Sequence, residues 1–175
     1  MAEAFEDMLS GGHPNSLGRT IEVVEIVLAD PDRFAELFAC YGSDDETVRL
    51  RTSNALKRVE TERRDLLLPY IDRLIDEIGM LDQASAQWTL AQLFDRMSVN
   101  MSGTQIAAAT VLLQRNLTQS NDWIVLNTTI ETLAHWARND DRLQVWLRPH
   151  LERQSVDPRK SVARRALKHL KTLGA

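Results

Sequence analysis

The sequence predicts an all-α protein, with about four stacked helical hairpins behind an N-terminal capping helix. Two aliphatic series carry this expectation. Leu37, Ile75, Leu113 and Leu151 follow one another at 38 residues, each inside an amphipathic segment of helical spacing. Val48, Ala86, Leu126 and Val162 recur in the alternate segments, at intervals of 38, 40 and 36. A period of this size is that of paired helices stacked as repeats. A third observation is the scarcity of breakers. Seven glycines and five prolines in 175 residues, with few strand signals, favour helix.

Residues 1–16 hold Gly11, Gly12, Pro14 and Asn15 and read as a flexible tail; residues 17–175 read as a single repeat domain. The first helix is expected over 17–29. Leu17, Ile21, Val24 and Leu28 form its stripe, widened by Val23, Ile26 and Val27. Asp30-Pro31 stops it, because the residue before proline is pushed out of the helical region.

The first repeat opens with a short helix over 31–41 that turns Phe34, Leu37, Phe38 and Tyr41 inward and ends at Gly42. Ser43 to Glu46 reads as a capping box for a partner helix with Val48, Thr52, Ala55, Leu56 and Val59 inside. The second repeat begins with an amphipathic helix over 63–78, bent by Pro69, with Leu67, Ile71, Leu74, Ile75 and Ile78 inward. Its partner over 83–97 buries Ala86, Leu90, Leu93, Phe94 and Met97.

The third repeat opens on a second capping box, Ser102 and Gln105, and turns Ile106, Thr110, Leu113 and Leu117 inward. Its partner over 121–137 buries Leu126, Ile130, Leu133, Ala134 and Ala137. In the fourth, Asp140-Asp141 places negative charge at a helix start, which the dipole favours. Leu143, Trp146, Leu147 and Leu151 follow. The last helix takes Asp157 as cap and Pro158 as its first residue, with Val162, Ala166, Leu167 and Leu170 inward.

Composition narrows the function classes. The net charge of −4 hides an asymmetry: residues 1–46 hold 11 acids and 2 bases, whereas the last 27 hold 2 acids and 7 bases. Such a field steers association and says nothing about fold. Cys40 is the single cysteine, which fits a reducing, cytoplasmic setting. No basic leader or run of about 18 apolar residues is present, so neither a secretory signal nor a membrane span is expected.

Asp45-Glu46-Thr47-Val48-Arg49, followed by Ala55-Leu56, resembles the second-helix pattern of HEAT repeats. Pro158 to Val162, with Ala166 and Leu167, is a looser copy. Prolines inside first helices, Pro69 and Pro149, are similar to those of HEAT and armadillo-type repeats. The resemblance spans residues 31–173 and rests on spacing alone in the middle two repeats. It implies a right-handed α-solenoid whose second helices line the binding face, and no single activity.

Chemistry-bearing constellations are sparse. His13, His135, His150 and His169 never share the i, i+4 spacing of a helical metal site. No phosphate loop, nucleophile elbow or Cys/His pair occurs. The acid pairs Asp44-Asp45 and Asp140-Asp141 are explained as helix starts. A non-enzymatic protein without cofactor or metal is expected.

Two surfaces suggest binding. Lys160, Arg164, Lys168 and Lys171, flanked by Arg165, form a basic stripe on the last helix. A terminal repeat needs a polar cap in any case. Trp88 stands about 160° from Leu90 on its helix and would form an outer strip with Gln92 and Asp95. Packing against the next repeat is the competing role for a ring of that size. Trp136 also lies off the inward stripe, whereas Trp123 and Trp146 are expected in the core.

These surfaces point to an interaction module or scaffold for a protein partner. The alternative is a nucleic-acid binder related to HEAT-like DNA-alkylation-repair glycosylases. That resemblance implies tryptophans and an aspartate on concave helices that cradle a damaged duplex; Trp136 with Asp140, and Trp88 with Asp95, match it poorly, and the acidic balance lacks a broad basic groove.

Overall fold

The computed structural model describes residues 3–173. Among them are ten α-helices, short 3-10 turns and no strand. No helix among the described residues is long and apolar enough to cross a membrane. The chain divides into two compact units, Met1–Thr89 and Leu90–Ala175, within what the sequence presents as one repeat domain. All eight residues of the two aliphatic series are buried.

The first unit holds α1 (Phe5–Leu9), α2 (Thr20–Ala29), α3 (Phe34–Ala39), α4 (Glu46–Arg63), α5 (Ile71–Asp76) and the start of α6 (Ala84–Met97). The tail expected over 1–16 contains α1, whose Phe5, Met8 and Leu9 are buried. The Arg33 guanidinium lies 3.9 Å over the Phe5 ring. Helix α2 starts at Thr20 rather than Leu17. Its buried face is Thr20, Val23, Val24 and Val27, which leaves Leu17 and Ile21 exposed at 38% and 41%.

Helix α4 is capped by Asp45, which accepts from the Thr47 N–H at 2.7 Å, and not by Ser43. Ser43 accepts from Asp45 one step earlier. The single helix expected over 63–78 is broken into 3-10 turns at Arg64–Leu66 and Leu68–Tyr70, then α5 and a further turn at Ile78–Met80. Pro69 has no N–H and crowds the preceding turn, so a regular helix begins only after it. Its inward residues, Leu67 to Ile78, are nevertheless buried as expected.

Arg51 organises the N-terminal side of this unit. It is 1% exposed on the inward side of α4. Its Nη1 donates to the carbonyls of Leu9, Ser10 and Gly11, its Nη2 to His13 and its Nε to Ser16. The buried charge is satisfied by backbone oxygens of one loop. That loop turns at Gly11, Gly12 and Gly18, all at positive φ. A Cβ on Gly18 would stand 2.9 Å from the guanidinium carbon.

The second unit continues α6 and adds α7 (Gly103–Gln119), α8 (Trp123–Ala137), α9 (Asp141–Gln154) and α10 (Lys160–Leu173). Ser102 and Gln105 form the expected capping box, and Asp140 caps α9. Helix α8 packs against α7, α9 and α10, so alternate helices α8 and α10 lie side by side. Leu113, Leu126, Leu133, Leu147, Leu151 and Val162 belong to one core.

Trp123 departs from the expected core position: it is the first residue of α8, ahead of its packed face, and is 50% exposed. Trp146 packs against the core as expected, partly buried, and stacks on His150 at 4.1 Å between centroids. On α10 the buried stripe is Val162, Ala166, His169 and Leu173. Leu167, expected inward, lies one residue off that stripe and is 47% exposed. The helix also begins at Lys160, with Asp157 accepting from the Arg159 N–H at 2.8 Å two residues ahead of it.

Candidate functional site

In the second unit, α6, α8 and α10 present polar side chains that meet across separations of 34 to 41 residues. His135 Nδ1 and Asp95 Oδ1 are 2.7 Å apart, at a separation of 40 residues. Thr132 donates to the Ala91 carbonyl at 2.9 Å, and Asn127 Nδ2 donates to Ser161 Oγ at 3.2 Å. A cleft of about 220 Å³ lies among these helices, lined by Gln92, Asp95, Asn127, Glu131, Thr132 and Arg165 together with Arg96 and Thr128.

Glu131 is the hub of that surface. Its carboxylate accepts from Arg165 and from the buried His169 Nε2 at 2.9 Å, with Lys168 at 3.3 Å. Partial burial pushes the Glu131 carboxyl up, but the His169 and Arg165 hydrogen bonds and charges outweigh it and hold its pKa at about 2. The sequence reading missed this cluster. A signal was present: Arg165 and His169 follow Glu131 by 34 and 38 residues, close to the spacing of the aliphatic series.

The outer face of α10 carries the predicted basic row. Lys160, Arg164, Lys168 and Lys171 line an open groove of about 490 Å³ with Ala163 and Leu167. Lys160, Arg164 and Lys171 are exposed and form no ion pair among the described residues. Arg165 lies apart from the row, turned toward Glu131. The groove therefore has an aliphatic centre between cations.

Trp88 falls in the first unit. It is half-buried and lines a groove with Pro14, Glu46, Leu50, Asp82 and Gln83. Gln92 and Asp95, expected beside it in one strip, line the cleft of the second unit. Gln83 of that groove accepts from Arg49 of the Val-Arg pair, which also donates to the Ser43 carbonyl, and Gln83 donates to the Glu46 carbonyl at 3.1 Å.

The remaining reactive groups are quiet. Burial, reinforced by Glu6 and Glu36, pushes the Cys40 thiol up to about 12, so no thiolate is available at neutral pH. Burial and the nearby Arg153 lower the pKa of His150. Among the described residues no group of three or more His, Cys, Asp or Glu could hold a metal ion. No protein-family model, curated protein or solved structure matches the chain.

Proposed function

We propose that the chain is a non-catalytic interaction module of HEAT-like repeats, a right-handed α-solenoid by family type, that works in the cytoplasm. It binds a protein partner through the surface of its second helices and through the basic face of α10. One observation carries this reading: four cations of α10 surround the exposed Leu167 in a single open groove. An apolar centre with a charged rim is the ordinary composition of a protein-binding patch. The sign of the rim selects an acidic segment with an aliphatic or aromatic anchor.

Side-by-side pairing of α8 and α10, with polar partners one repeat apart, supports the HEAT-like part of the reading. The test is a fluorescence titration with a labelled glutamate-rich peptide carrying a central leucine. Binding should weaken with salt, fall in K160E/R164E/K171E, and fall in L167S without loss of the salt dependence. Equal binding by wild type and the triple variant, or none at low salt, refutes the basic groove as the site. Duplex DNA at low salt is the control, and tight binding there would favour the nucleic-acid reading instead.

A further inference from the structure

We infer that the acidic segment best fitted to the α10 groove is the α2 face of a second copy of this chain. This rests on the reading of α10 as a protein-binding face and names the partner. The exposed residues of α2 are Ile21, Glu22, Glu25 and Ala29, with Leu17 exposed just before the helix. Ile21, Glu22 and Glu25 are neighbours on the exposed side of α2, whereas Leu17 lies outside the helix, ahead of the turn at Gly18. Residues 1–46 as a whole hold 11 acids against Arg19 and Arg33. Arg19 pairs with Glu22 and Glu3, and Arg33 with Glu36, so the segment keeps a net excess of nine acids, 11 minus 2, with Glu25 among them.

The two faces are complementary in both respects. On α10 an exposed leucine sits among four cations. On α2 the exposed Ile21 sits beside Glu22 and Glu25, with Leu17 exposed just ahead of the helix. Alternative self-contacts are disfavoured by sign. An α10 face on a second α10 opposes cation to cation, and α2 on α2 opposes acid to acid. Like charges placed face to face suppress an association, whereas opposite fields steer it. Each copy offers one face of each kind, so the contact either repeats reciprocally about a two-fold axis or runs head to tail.

Charge exchange tests the pairing. Sedimentation equilibrium is run from micromolar to submillimolar protein, at ~0.05 M and ~0.5 M salt. Wild type should gain mass with concentration at low salt, with association weakened at least about tenfold at high salt. K160E/R164E/K171E, which leaves Lys168 with Glu131, should stay monomeric. E22K/E25K should stay monomeric as well. An equimolar mixture of the two variants should associate, because each then offers a face matched to the other. Restoration in the mixture also shows that both variants are folded.

Monomeric wild type at low salt overturns the inference. So does association of either variant alone, or a mixture that stays monomeric. If the wild type is monomeric but still binds the glutamate-rich peptide, the partner is another protein and the proposed function stands. If it does neither, both readings fall.

Discussion

Replacing Arg51 by methionine should loosen the N-terminal side of the first unit without opening a hole in it. Methionine keeps most of the stem's volume, so cavity terms stay small. What is lost is the set of hydrogen bonds to Leu9, Ser10, Gly11, His13 and Ser16. Three donor nitrogens make them, and Nη1 is shared among three carbonyls. At about 1–1.5 kcal/mol net for each nitrogen, the sum is about 3–4.5 kcal/mol. The freed carbonyls recover part of this from water once the loop opens, which leaves an expected loss of about 2–4 kcal/mol. Arg51→Lys should recover only a fraction, since one ammonium cannot reach carbonyls spread over Leu9 to Ser16. Urea unfolding measures the loss, and amide exchange over residues 5–18 locates it. A cost under ~1 kcal/mol with unchanged protection in that loop would refute the role given to Arg51.

Gly18→Ala should cost roughly 1–3 kcal/mol, from a Cβ 2.9 Å from the Arg51 guanidinium and a residue at φ +51, read by thermal unfolding. Leu113→Ala, fully buried in the second core, should cost about 2–5 kcal/mol; a loss near zero would break the repeat register. The Glu131 cluster predicts a pH dependence. A carboxyl lowered in the folded state contributes stability above its unfolded pKa and loses it as pH falls toward the folded value. Wild type should therefore exceed Glu131→Gln by about 1–2 kcal/mol at neutral pH, after discounting for its partial exposure. That gap should close between about pH 4.5 and 2, and a gap constant across this range would refute the cluster.

Much of the fold is legible because the two aliphatic series fall on buried helical positions. Leu126 and Val162 are buried on side-by-side helices α8 and α10, so the interval that separates them in sequence is also the interval between neighbours. Caps were readable where one acceptor stood alone, as at Ser102. At Ser43-Asp44-Asp45 three acceptors compete, and the chain uses the last. Helix α1 escaped notice because five residues are too short to show a period. Arg51 escaped because an arginine on a helix reads as solvated and its partners are backbone oxygens, which every residue has. The basic row of α10 was readable from its spacing. Leu167 was misplaced because His169, rather than a second leucine, completes the inward stripe.

The position of Arg51 in the chain also imposes an order on folding. Its five carbonyl partners precede it by 35 to 42 residues. On a ribosome adding about 5–20 residues per second, they emerge roughly two to eight seconds before the side chain that fixes them. During that interval Phe5, Met8 and Leu9 have no finished α4 to settle on. The earliest apolar residues made thus wait without this partner until α4 is synthesised, and a chaperone that favours nascent N-termini has its window there.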